Sequence, residues 1–169
     1  MDLSGMHPKE LLSLYARVLD ELRRQGIIRS TNNPAADYAE HLVSRALRLE
    51  IAGKSNAGYD AIDSNNERYQ IKGRRITSHN KSRQLSFIRG LEEGKRPFDY
   101  LAGVLFAEDF SIFRACVIPL DAVRLHSKHV PHVNGWRFVL HDKIWALPNV
   151  KDITDNLKEH AKRSVTEGI

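Results

Sequence analysis

The chain is poor in several things that would have fixed its class at once. It has one cysteine, Cys116, so no disulfide can form within it, which fits a reducing compartment. No apolar run approaches the ~18 residues that a bilayer-spanning helix needs. The start, Met1 to Pro8, has neither the basic region nor the apolar core of a secretory signal, so the expectation is a cytoplasmic protein with no membrane partner. Without a signal, the Asn80-Lys81-Ser82 acceptor pattern carries no glycosylation argument. Ten glycines and six prolines are too few for a collagen-like or low-complexity chain. No repeat or linker divides the sequence.

What is present suits one folded unit. At 169 residues the chain is near the size of a single domain and can bury a full core without a metal or disulfide staple. Apolar residues make up 41% and charged residues 28%, which excludes disorder. Lysine and arginine number 26 against 21 acidic residues, a formal +5, so a polyanion is the leading partner.

Periodicity places the elements. Pro8 opens an amphipathic helix through Leu11, Leu12, Tyr15, Val18, Leu19 and Leu22 that closes at Gly26. Thr31, Asn32 and Asn33 offer N-cap oxygens for a second helix from Pro34, carrying Glu40 and His41 and ending near Gly53. A loop at Lys54 to Gly58 leads into a hairpin, Tyr59 to Asp63 and Glu67 to Lys72, turning at Ser64-Asn65-Asn66. Ser82 to Gly94 reads as a helix or an irregular connection, and Phe98 to Phe106 as a buried strand paired with Ser111 to Ile118 around Glu108-Asp109-Phe110. Pro119 to His126 reads as a short helix, Trp136 to Leu140 as a strand, and Asp152 to Arg163 as a helix capped near Asp152 or Thr154, with a frayed tail after Ser164. That order argues for an α/β or α+β sandwich.

The hairpin carries the chemistry. Residues two apart on a strand share a face, so Gln70 and Lys72 point one way and Tyr69 and Ile71 the other. With Asp60 beside them, a carboxylate, an amide oxygen and an ammonium surround one point, and the Ile71 carbonyl is at hand. Such a set suits a hard divalent ion such as Mg²⁺, with the lysine placed to orient or deprotonate a bound water.

In these residues the sequence resembles the PD-(D/E)XK nuclease superfamily, the fold of many restriction endonucleases and Holliday-junction resolvases. Asp60 matches the acid that ends the first strand of the family's hairpin, Gln70-Ile71-Lys72 its acid-x-Lys triplet, and Glu40 the helix glutamate that often completes the site. The resemblance covers roughly Ala35 to Phe106 and departs at Gln70, where the family usually has an acid. Only two negative charges would then face the metal, so weaker metal affinity is expected.

The resemblance implies an α/β fold with a restriction endonuclease-like core, a mixed central sheet flanked by helices, and an added N-terminal helix. Residues 1–169 would form one domain, with a helical extension at 1–30, the core at 34–145 and a C-terminal helix and tail at 150–169. It implies a Mg²⁺-dependent endodeoxyribonuclease of restriction or mobile-element type, Mn²⁺ substituting, with RNA open as an alternative substrate and a homodimer supplying one site per strand. Asp60, Gln70 and the Ile71 carbonyl would hold the ion, Glu40 would bind it directly or through water, and Lys72 would position the nucleophile. Arg74, Arg75, Lys81 and Arg83 form a basic cluster suited to phosphates.

Blander readings exist for each residue. Asp60 can cap a turn, Gln70 and Lys72 can be the solvated face of an edge strand, and Glu40 can face solvent. Asp63 is a rival ligand but sits nearer the turn, and Glu67 reads as structural. His126, His129 and His132 recur every three residues, yet Pro131 interrupts the alignment and no cysteine joins them, so zinc is not expected. Gly53-Lys54-Ser55 echoes a phosphate loop without its upstream glycine or preceding strand. Cys116 reads as a core residue, Trp136, Trp145, Tyr15, Tyr38 and Phe98 as core or interface rather than base-stacking residues, and Tyr59 as a packing residue. The competing functions are a catalytically inactive nucleic-acid-binding module of the same fold and a protein-interaction subunit.

Overall fold

A computed structural model describes residues 2–30, 33–53 and 58–163. The expected cap oxygens of Thr31 and Asn32, the loop residues Lys54 to Ala57, which include the Lys54-Ser55 of the phosphate-loop echo, and the tail from Ser164 lie outside the described residues.

Helix α1 spans Pro8–Arg24, and its start is built from sequence-local groups: the His7 side chain accepts from the Lys9 N–H while Glu10 reaches back to the His7 N–H. Leu19 is its one buried residue; Leu12, Tyr15 and Val18 are exposed. Exposure rules out the core for Tyr15 and leaves the interface alternative of its reading open. Helix α2 spans Pro34–Leu47, capped by Asn33, whose side chain accepts from the Ala35 N–H. It stops earlier than expected. Arg48 turns into the left-handed region, and β1 (Glu50–Ile51) occupies residues that the apolar spacing had assigned to the helix.

The sheet is mixed, with six strands in the order β1-β2-β3-β4-β5-β8. Besides β1 these are β2 (Ala61–Ile62), β3 (Arg68–Arg75), β4 (Tyr100–Phe106), β5 (Ile112–Pro119) and β8 (Lys151–Asp152). Neighbours pair antiparallel except β3 and β4, which run parallel from Tyr69↔Tyr100 to Arg75↔Phe106. The connection between them, 76–99, is irregular and includes the segment read as a helix or a loop. Helix α3 (Leu120–His126) follows β5 directly, and α4 (Thr154–Arg163) starts where Asp152 accepts from the Thr154 N–H. The strand expected at Trp136 to Leu140 is displaced: β7 (Gly135–Arg137) pairs with β6 (Lys128–Val130) in a separate hairpin. That hairpin is bridged to 82–94 at Ile88↔Trp136 and Gln84↔Val139.

Strand alternation supplies a core on each face. Ile71, Ala102, Val104, Phe106, Ala115 and Val117 pack under α2 and α4. Leu101, Leu105, Cys116 and Ile118 face the opposite layer of Leu85, Ile88, Phe98, Phe138, Leu140 and α3. Cys116 is fully buried, which pushes its thiol up to about 12 and leaves it inert. Among the described residues no helix is long and apolar enough to cross a membrane.

Candidate metal and phosphate site

The site forms where β2 leaves β3. Their pairing ends at Ala61↔Tyr69, with one further bond from the Asp60 N–H to the Tyr69 carbonyl at 2.8 Å, so β3 beyond Tyr69 has an open edge. Asp60 fills the next position itself: its Oδ2 accepts the Ile71 N–H at 2.7 Å. The N–H and C=O of one strand residue point to the same side, so the Ile71 carbonyl also faces this edge. Asp60 lies just before a two-residue strand, not within the longer strand expected, and its own carbonyl accepts from the Ala52 N–H at 2.9 Å. Two residues upstream, Gly58 has φ +101°, and a Cβ there would come within 2.9 Å of Pro97. Only glycine brings the chain into Asp60 along that path.

Glu40 arrives from α2. The helix lies close on β3 because residue 73 has no side chain: a Cβ on Gly73 would stand 2.3 Å from the Ala35 carbonyl oxygen and 2.8 Å from the Ala39 Cβ. Glu40 is mostly buried and ion-paired with Arg29, which follows α1. Burial, reinforced by the Asp60 charge and opposed by Arg29, raises the Glu40 pKa. Burial likewise raises that of Asp60, against the Ile71 hydrogen bond, Lys72 and Arg29. Lys72 is pushed down by burial, with Asp60 and Glu40 pulling the other way. The three groups thus feel one another, with more buried charge than the chain solvates.

Gln70 is the most telling member. Its Oε1 is buried and, among the described residues, accepts no hydrogen bond. A buried amide oxygen without a donor costs about 1–3 kcal/mol, and a cation shared with the Asp60 and Glu40 carboxylates would give it a partner. Among the described residues no three His, Cys, Asp or Glu side chains gather in a metal-holding group. This set offers two carboxylates, one amide oxygen and one main-chain carbonyl, a donor set of oxygens alone that suits Mg²⁺ or Mn²⁺ better than zinc.

The remaining predicted residues distribute differently. Asp63 caps the hairpin turn, its Oδ1 accepting from the Asn65 and Glu67 N–H groups. Glu67 accepts from the Tyr100 hydroxyl, consistent with a structural role. Within the basic cluster, Arg74 donates to the Ser82 carbonyl, Arg75 donates to the Glu108 carbonyl and stacks on Phe110, and Arg83 pairs with Asp142. Lys81 is exposed. Two contributors escaped the sequence reading: Arg29, which pairs with Glu40, and Ser86, which accepts the Lys72 Nζ at 2.9 Å. Both meet the site through tertiary contact, and no spacing in the sequence signals them. The chain matches no protein-family model and no curated protein.

Proposed function

We propose that this chain is a divalent-metal-dependent nuclease that hydrolyses DNA phosphodiester bonds, with a PD-(D/E)XK-like core in its Gln-x-Lys form. The observation that carries the reading is the buried, unpartnered Gln70 Oε1 on the same strand face as Lys72, whose ammonium feels the charges of both Asp60 and Glu40. Asp60, Gln70, the Ile71 carbonyl and Glu40 would hold Mg²⁺ or Mn²⁺. When bound, such an ion polarises a phosphoryl oxygen and makes its water more acidic. The residues of the chain do the rest. Burial lowers the Lys72 pKa, which makes its proton easier to give up, and Ser86 holds its Nζ in place. Held so, the ammonium orients the attacking water and offsets negative charge on the reacting phosphate. The Ile71 N–H fixes the Asp60 carboxylate at the open edge, so orientation is set before substrate arrives. One such site cuts one strand, so double-strand cleavage calls for a homodimer with two sites related by symmetry.

The second reading is a binding module of the same fold without catalysis. Two observations favour it: Gln70 carries no charge, and Arg29 already neutralises Glu40. Incubation of the purified protein with supercoiled plasmid and with single-stranded DNA, in Mg²⁺, Mn²⁺ and EDTA, separates the two. The nuclease gives metal-dependent nicking or linearisation that Asp60→Ala and Lys72→Ala each reduce by about 10²-fold or more. Inert wild type and variants that all bind DNA in a salt-dependent, metal-independent way establish the module.

A further inference from the structure

A second concentration of positive charge lies outside that site. The end of α3, the β6–β7 hairpin and the turn at Asp142–Ala146 enclose a concavity of about 200 Å³. Its titratable lining is wholly basic: His126, Lys128, Arg137, His141 and Lys143. Asp142 is the near acid, and its carboxylate is taken by Arg83 at 2.7 Å and Arg114 at 3.0 Å. Among the described residues none of the five basic side chains enters an ion pair, although nine other basic side chains do.

The register sharpens the point. Lys128 and Arg137 are direct cross-strand partners, Lys128↔Arg137. Like charges opposite each other destabilise a strand pair, and a two-stranded hairpin has little stability to spare. An anion between them turns that repulsion into shared attraction, with the imidazoles as further N–H donors. The volume is below that of a typical site for a whole small molecule and suits a single phosphate group. The hairpin is also tied to the proposed cleavage centre: Ser86, which holds Lys72, lies between Gln84 and Ile88, the two residues bridged to Val139 and Trp136.

We propose that this concavity holds a phosphate of the nucleic-acid backbone outside the cleavage centre. The nuclease reading supplies the identity of the polymer, but hydrolysis is not needed for the binding. The test is fluorescence anisotropy of a short labelled duplex titrated in EDTA at several salt concentrations. Wild type is compared with Lys128→Gln/Arg137→Gln and with Lys158→Gln on an exposed part of α4. The double variant is expected to bind about tenfold more weakly. Its slope of log affinity against log salt should be shallower by about 1 for each cation removed, with the α4 control close to wild type. It should melt no lower than wild type, since an opposed charge pair has been removed. A parallel arm measures thermal stabilisation by inorganic phosphate. If phosphate stabilises wild type and not the double variant while duplex binding is the same in both, the ligand is a free phosphate and the backbone assignment is overturned. Equal affinities and slopes with no phosphate effect overturn the site altogether. An uncleaved plasmid removes the nuclease reading without touching this binding result.

Discussion

At Asp60 one carboxylate serves the main chain and would serve the proposed ion site as well. Its Oδ2 completes the edge of β3 through the Ile71 N–H, yet burial raises its pKa. The stability that such a group contributes is complete below the unfolded carboxylate value, near pH 3.9, and is lost as pH rises through the higher folded value. Asp60→Asn keeps an oxygen for the Ile71 N–H and cannot ionise. It is expected to melt above wild type at pH 7, with the difference closing toward about pH 3, while plasmid cleavage is lost. Thermal melts followed by circular dichroism across pH check this. A lower melting temperature than wild type at pH 7 would mean that attraction from Lys72 and Arg29 outweighs burial. Glu40 follows the same sign. Lys72 is opposite in kind: its lowered folded value makes the folded state less favourable wherever the ammonium is charged.

Among the elements, α2 and β3 set the site's geometry by how closely they approach. Gly73→Ala places a Cβ against the Ala35 carbonyl and Ala39, both on α2 and neither free to swing aside. The expected cost is about 1–3 kcal/mol, read from urea unfolding, because the helix must lift from the sheet. Glu40 rides on that helix, so cleavage should fall as well, although Gly73 touches no ligand. Unchanged stability would show that α2 is less firmly seated than the contact implies. The β6–β7 hairpin differs in kind from α2: a short pair on the opposite layer, anchored through Trp136 and Val139 rather than through the main sheet.

The described residues are built on one main sheet with a core on each face, and β3, which carries Ile71 and Lys72, borders both. Phe138, fully buried opposite Leu101 and Leu105, is far in sequence from β3, yet its layer holds the face on which Gln70 and Lys72 lie. Phe138→Ala is expected to cost about 3–5 kcal/mol and to lower the unfolding midpoint in one cooperative step, because the two cores share their strands. Two resolved transitions by circular dichroism and tryptophan fluorescence would show that the faces unfold separately.

The sequence by itself determined most elements and singled out the candidate site residues. Pro8, Pro34 and Asn33 mark helix starts, apolar continuity marks β4, and the two-residue period of a strand sets Gln70 and Lys72 on one face; all are local signals, read within one turn or one strand. It misjudged the end of α2 because Leu47 and Leu49 keep a helical apolar spacing, whereas the left-handed Arg48 and the pairing of Glu50 with Ile62 decide the break. It misplaced the strand at Trp136 because alternation tells which face is buried and not which neighbour it meets. The parallel register of β3 on β4, the Ile71 N–H on Asp60, Arg29 on Glu40 and Ser86 under Lys72 were decided by tertiary structure alone. Each joins residues ten or more apart, and at that separation the partner is chosen by the packing of the sheet and not by any rule of neighbouring residues.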